Sequence, residues 1–283
     1  MNIEKILAGI DFGKDAERVL SYALYIATAY EASVSLLYII DYLVTPPSYL
    51  AQYIDEEKKA AERKFETMKK QMNEAGIETR TDVIVGRLRE SFAAAAKNTG
   101  ADMLILGFMS HVFRRSSSEK LIKGLRIPML VVRGEKAAAA KFGSVKVRKV
   151  LCPTDFSGPS GNAVEYAKAL SAKVSAEMHI LHVSSHHLLK KMRVSEERDR
   201  SIEDLKETAQ EQLSKLLVSN DIAGKGILDE GDPEKRIVAC AEDKDIDLIV
   251  MGARGLGLMQ GMLVGSVTDA VLKASPCPVL VIH

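Results

Sequence analysis

Fifteen residues near the C-terminus, Gly252-Ala-Arg-Gly-Leu-Gly-Leu-Met-Gln-Gly-Met-Leu-Val-Gly-Ser266, hold five glycines directly after the apolar run Asp247-Leu-Ile-Val-Met251. Glycines at that density after a strand leave backbone N–H groups open, and such groups bind phosphate oxygens. Gly252 and Gly255 lie just past the strand, where a missing Cβ lets backbone approach a ligand. Gly265-Ser266 reads as a helix entrance, because Val267, Ala270, Val271 and Ala274 follow at helical spacing. Ser266-x-x-Asp269 has the layout of a capping box, with Asp in place of Glu. The open amides and positive dipole end of that helix favour an anion. The glycine count alone fits a flexible loop equally well.

Other chemistry is poorly provided for. His182, His186 and His187 have no Cys or second His pair placed to complete a metal site, so the His186-His187 pair reads as a solvated loop. No Walker-type Gly-Lys-Ser/Thr occurs, and no acidic pair is reserved for Mg²⁺. The acids near the glycine stretch and the strand ends are Asp155 and Asp269. Three cysteines, Cys152, Cys240 and Cys277, are odd in number and lack metal spacing, which points to a reducing, cytoplasmic home. A net charge of +1 implies no broad pull toward nucleic acid or anionic membrane. Aromatics at 5% with no tryptophan argue against a base-stacking surface. No apolar run reaches membrane-spanning length, and Met-Asn-Ile-Glu-Lys-Ile-Leu enters a strand too soon for a signal peptide.

The elements that must position these residues come in two copies. Ile6-Leu-Ala-Gly-Ile-Asp11-Phe12 matches Val150-Leu-Cys-Pro-Thr-Asp155-Phe156 at an offset of 144, and Ser35-Leu-Leu-Tyr-Ile39 matches His179-Ile-Leu-His-Val183 at the same offset. Ala101-Asp-Met-Leu-Ile-Leu-Gly107 matches Ile246-Asp-Leu-Ile-Val-Met-Gly252 at 145, and Ile127-Pro-Met-Leu-Val-Val132 matches Cys277-Pro-Val-Leu-Val-Ile282 at 150. A near-constant offset over most of the chain means two homologous domains, 1–134 and 147–283, joined by the linker Gly134-Glu-Lys-Ala-Ala-Ala-Ala-Lys-Phe-Gly143. The second copy reads as strands at 147–153, 177–183, 226–229, 246–251 and 279–282, with helices at 160–171, 202–218, 233–242 and 267–274. That alternation predicts an α/β fold: each domain a five-stranded parallel sheet, Rossmann-like, with helices on both faces. Ligands of such sheets bind outside the carboxyl ends of the strands, where the glycine stretch lies. Both copies end in a short strand after proline, so one chain is expected to form an intramolecular pseudo-dimer, with a further homodimer open.

Gly252-x2-Gly255-x9-Gly265-Ser266 resembles the ATP-binding signature of the universal stress protein family. The likeness extends to Asp155 at the end of the first strand, to Leu181-His-Val183 at the end of the second, and to Pro276-Cys-Pro-Val-Leu-Val near the C-terminus. It covers essentially the whole chain as two tandem domains of the adenine nucleotide alpha hydrolase-like architecture. The resemblance implies that Pro153, Thr154 and Asp155 border an adenosine, with Asp155 accepting from its donors. Val183 would offer backbone groups to the adenine edge, and Met251 and Gly252 would flank ribose and phosphates. Gly255, Gly265, Ser266 and Val267 would contact phosphate through backbone amides and one hydroxyl. Arg254 would add a charge-assisted contact or stand solvated at the surface. His182 is expected toward the nucleotide or packed at the strand end, Cys152 as a small core residue, and Leu258, Met259, Met262 and Leu263 over the phosphate loop or against the other domain.

The first copy keeps Asp11 and Ile39 but has Ser110 where the second glycine belongs. Its loop, His111-Val-Phe-Arg-Arg-Ser116, is five residues shorter, with Arg115 facing the place of Gly265. Ser116-x-x-Glu119 still reads as a capping box, followed by Leu121, Ile122 and a helix stop at Gly124. Weak or no triphosphate binding is expected there, against a minority reading in which Arg114 and Arg115 hold an anion. The implied function is an adenine-nucleotide-binding regulatory or stress-response module taking ATP or AMP, with Mg²⁺ an optional companion. The alternatives are a slow ATPase or adenylate-handling enzyme, and a structural pseudo-dimer with a vestigial site.

Overall fold

The first apolar run of each copy becomes the middle strand of a parallel sheet. The computed structural model describes residues 2–13, 15–41, 51–108, 125–138, 141–185, 195–222, 224–255 and 264–283. The chain divides into two units, Met1–Lys146 and Val147–His283. The N-terminal unit runs β1 (Lys5–Gly9), α1 (Ala16–Tyr30), β2 (Ser33–Asp41), α2 (Ala51–Glu74), β3 (Thr79–Gly86), α3 (Leu88–Thr99), β4 (Met103–Gly107) and β5 (Met129–Val132), then α4 (Gly134–Ala138). The C-terminal unit runs β6 (Lys149–Thr154), α5 (Gly158–Val174), β7 (Glu177–Ser185), α6 (Ser195–Ser219), β8 (Lys225–Gly231), α7 (Pro233–Asp243), β9 (Leu248–Gly252), α8 (Ser266–Ala274) and β10 (Val279–Ile282). The expected α/β architecture is present, with helices covering both faces of each sheet. The largest boundary change is in α6, which starts at Ser195 rather than 202.

Strand order is β3-β2-β1-β4-β5 in the first unit and β10-β9-β6-β7-β8 in the second. The first strand of each copy therefore has the second strand on one side and the fourth on the other. That makes the gap between β1 and β4, and between β6 and β9, the topological switch point. Strands β9 and β10 are buried at every residue, as a parallel sheet covered on both faces requires.

The repeat extends to backbone detail. Phe12 and Phe156 both have positive φ, 54° and 60°, just past the first strand. Glu31 and Ser175 both end the first helix in the left-handed region, at 58° and 56°. Asp102 Oδ2 accepts the Glu4 and Lys5 amides, and Asp247 Oδ2 accepts those of Arg148 and Lys149. Each aspartate ties the start of its fourth strand to the start of its first. Among the described residues no helix is long and apolar enough to cross a membrane.

Candidate functional site

The carboxyl ends of β6 and β9 meet the start of α8 at the switch point of the C-terminal unit. Thr154 closes β6, Asp155 follows it half-buried, and Phe156 turns the chain back through its positive φ. Asp155 Oδ1 accepts from the Ser157 amide at 3.1 Å and the Ser157 hydroxyl at 2.5 Å, which fixes the carboxylate at the mouth of the turn. Ser157 also caps α5. Thr154 is buried, with its hydroxyl on Ser160 Oγ at 3.1 Å.

His182 packs at the strand end rather than projecting to a ligand. Its Nδ1 donates to the Thr154 carbonyl at 2.9 Å, and its ring stacks on Phe156 at 4.5 Å between centroids. Val183, next along β7, is half-buried and pairs with Asp229. Cys152 is fully buried, and burial pushes its thiol pKa up, so it carries no thiolate and is a core residue.

The glycines of the second copy do three different jobs. At Gly252 an added Cβ would lie 2.9 Å from the Pro159 carbonyl oxygen and 3.1 Å from that of Arg254. Gly252 is thus a packing residue that lets β9 run against the start of α5. At Gly255 an added Cβ would fall 2.3 Å from Asp155 Oδ2, so the loop backbone lies directly on the carboxylate. At Gly265 the nearest atoms would be 3.6–3.9 Å away, ordinary contact distance, so this glycine keeps space open rather than relieving a clash.

The helix entrance differs from the capping-box expectation. Gly265 is the N-cap, with extended backbone, and Ser266 is the first helical residue with its side chain exposed. The Asp269 carboxylate pairs with Lys273 at 2.6 Å. The Gly265 amide donates to the Ala253 carbonyl at 2.7 Å, which clasps the two ends of the glycine loop together. The Asp269 amide on Gly265 O makes the first bond of α8, so the Ser266 and Val267 amides lie ahead of the ladder. Thr268, which sequence reasoning missed, is buried and donates to the Gly252 carbonyl at 2.9 Å, fastening α8 to the end of β9.

Met251 is buried and Arg254 is half-buried. Pro153 is buried in β6. The structure therefore brings Pro153, Thr154, Asp155, Met251, Gly252, Arg254, Gly255, Gly265, Ser266 and Val267 to one edge, with Val183 on the neighbouring strand. Residues 256–263, with Leu258, Met259, Met262 and Leu263, lie outside the described residues, as do His186 and His187. The same holds for 109–124, which carries the expectations on Ser110, Arg114, Arg115, Ser116, Glu119 and Gly124.

The family model of the Universal stress protein family matches residues 2–133 and again 146–283. Universal stress protein MJ0577 of Methanocaldococcus jannaschii is 32% identical over 157 residues, covering 49% of this chain and 96% of that protein. A universal stress protein of Mycolicibacterium smegmatis is 23% identical over 307 aligned positions, covering 98% of this chain and 96% of that one. Among solved structures, a universal stress protein from Archaeoglobus fulgidus DSM 4304 has a TM-score of 0.75 at 23% identity, covering 100% of this chain and 97% of that one. That likeness shows the fold.

Proposed function

The chain belongs to the universal stress protein family, matched by both of its copies in turn, and from that premise we propose that it is an adenine-nucleotide-binding regulatory module of a stress response. It holds ATP or AMP mainly in the C-terminal unit. The observation that carries this reading is the meeting of Asp155 with the Gly255 backbone at the switch point, beside the start of α8. An acceptor for ribose or base donors and a source of amides for phosphate stand at one edge.

In this reading Asp155 orients the nucleoside, and Val183 meets the adenine edge. Backbone at Met251, Gly252 and Gly255 flanks ribose and phosphates. The Ser266 and Val267 amides and the Ser266 hydroxyl hold phosphate oxygens, with the Arg254 guanidinium adding charge. Gly265 contributes clearance rather than its amide, which is already donated to Ala253. Binding rather than turnover is favoured by the state of the nearby acids. Asp155 Oδ1 accepts from Ser157 and the Asp269 carboxylate pairs with Lys273, so both acids already serve to fix local structure. Calorimetric titration with ATP, ADP and AMP tests this: about one site per chain is expected, and two equivalent sites or none would overturn it.

A further inference from the structure

The two switch points differ in how far their strands stay zipped. In the N-terminal unit β1 pairs with β4 through four residues, from Ile6↔Met103 to Gly9↔Leu106. In the C-terminal unit the matching ladder holds only Val150↔Leu248 and Leu151↔Ile249. Neither strand frays there. β6 stays paired with β7 through Pro153↔Leu181 and Thr154↔His182, and β9 stays paired with β10 through Ile282↔Gly252. The β6–β9 ladder alone stops short, at the carboxyl end, beside Asp155.

Pro153 supplies the physical cause. Two backbone bonds set the phase of β6: Arg148 O accepts from Glu177 at the start of β7, and Lys149 O accepts from Asp247 at the start of β9. Successive residues of a strand turn their backbone groups to opposite sides. Lys149, Leu151 and Pro153 therefore face β9. Proline has no N–H, so the ladder loses its next donor on that side only. The residue at the same place in the first copy is Gly9, which keeps its N–H and remains paired. The space beside Gly9 is closed as well: an added Cβ would lie 2.6 Å from both Leu106 Cδ2 and Phe92 Cζ.

We propose that Pro153 is a positioning residue that holds the switch-point crevice of the C-terminal unit open, and that Gly9 lets the N-terminal crevice zip shut. The proposal rests on the nucleotide reading above for its ligand, an adenine nucleotide, but not for its geometry. The opened side of β6 and β9 is where the nucleoside end enters, so Pro153 acts through strand spacing rather than through a polar contact.

The test uses the full-length chain with Pro153→Gly, which copies the first unit, and Pro153→Ala, which restores the N–H with less backbone freedom. Amide exchange by NMR is expected to show the new residue-153 amide protected, with the unfolding midpoint unchanged or raised. Calorimetry is expected to show affinity for AMP and ATP falling by the same factor, on the order of ten-fold. A phosphate-end substitution such as Gly265→Arg is expected to weaken ATP more than adenosine, so equal loss for all ligands marks the nucleoside end. A freely exchanging residue-153 amide in both variants would overturn the ladder argument whether or not nucleotide binds. A protected amide with unchanged affinity would overturn the positioning role. Absence of binding by the wild-type chain, with the amide protected, would overturn the nucleotide reading and the role built on it while leaving the geometry standing.

Discussion

Asp11-Phe12 and Asp155-Phe156 follow the first strands of the two units, each phenylalanine with positive φ, and meet different surroundings. In the first unit Asp11 is exposed and holds only the Gly13 amide among the bonds described, at 2.9 Å. Phe12 is enclosed by Tyr38 at 4.9 Å, Phe65 at 4.8 Å and the Lys64 ammonium at 5.0 Å. Tyr38 is itself tied to Glu57 at 2.6 Å; burial and then that carboxylate push its hydroxyl pKa up, so it stays a donor. In the second unit Asp155 is half-buried under the Gly255 backbone and Phe156 stacks on His182. Ile39 and Ile40 of β2 are buried, whereas Val183 and Ser184 of β7 are half-buried. The first unit packs aromatic side chains around the turn after its first strand, and the second sets a loop backbone and a histidine ring there. A duplicated fold can thus keep its positive-φ turns, helix stops and aspartate clamps while the surroundings of the turn diverge.

The largest expected effect comes from putting the first copy's residue into the second. Gly265→Arg should remove measurable ATP binding, a loss of about a hundred-fold or more, because the side chain enters the space above α8. The fold should survive, since a Cβ at this position meets its neighbours at 3.6 Å or more. Titration alongside a thermal melt checks both halves; wild-type affinity in the variant would remove Gly265 from the site.

Next in size is a pair of matched substitutions. Gly252→Ala drives a Cβ to 2.9 Å from a backbone carbonyl, whereas Gly107→Ala meets the Val19 methyl at 3.3 Å, a side chain that can shift, and Asp15 Cβ at an ordinary 3.6 Å. Denaturant unfolding should show the first costing about 1–3 kcal/mol and the second well under that. Equal costs would mean that Gly252 is not the packing residue its surroundings indicate. Thr268→Val should cost about 1–2 kcal/mol, because the buried Gly252 carbonyl loses its donor while volume is conserved. The same melt reads it, and the loss should fall on the C-terminal unit alone.

Much of this was legible in the sequence, and the omissions have a common character. The offset of 144 between Asp11 and Asp155 gave the two units, and unbroken apolar runs gave a parallel sheet buried on both faces. Gly252, Gly255 and Gly265 announced an edge where backbone comes close. Their separate jobs were not readable, because a clash with Pro159 or Asp155 depends on partners about a hundred residues away. Ser266 looked like the cap because serine favours that position, but the Gly265 bond to Ala253 sets the helix start one residue earlier. Thr268 could have been found as a polar residue on the buried face of α8, between Val267 and Asp269. Pro153 stood in plain view, but its meaning needed the strand phase, which sequence alone does not supply.

The smallest effect separates the units by pH. His179 in β7 is buried, neither ring nitrogen has a hydrogen-bond partner, and the first unit has Ser35 at the same place. Four charged groups surround the ring: Glu177 on its own strand, 3.6 Å away, Lys149 on β6, Lys225 on β8 and Lys244 just past α7. Glu177 is held by Lys225 at 3.2 Å. Burial first, and then the three lysines, lower the His179 pKa below its ordinary 6.5, with Glu177 only partly opposing them. A histidine whose pKa is depressed by folding is neutral in both states above 6.5, so its contribution to stability is complete there. As pH falls through 6.5 the unfolded chain takes the proton first, and stability drops until the folded-state pKa is passed. The C-terminal unfolding midpoint should therefore fall by a few degrees, about 2–4 °C, between pH 7.5 and 5.5, beyond any change in the N-terminal unit. His179→Leu, which keeps an apolar side chain in the core, should flatten that difference, and Glu177→Gln, which removes the one opposing charge, should steepen it. A histidine-selective NMR titration reads the ring directly in the folded chain, and a normal titration of His179 near 6.5 would defeat the argument.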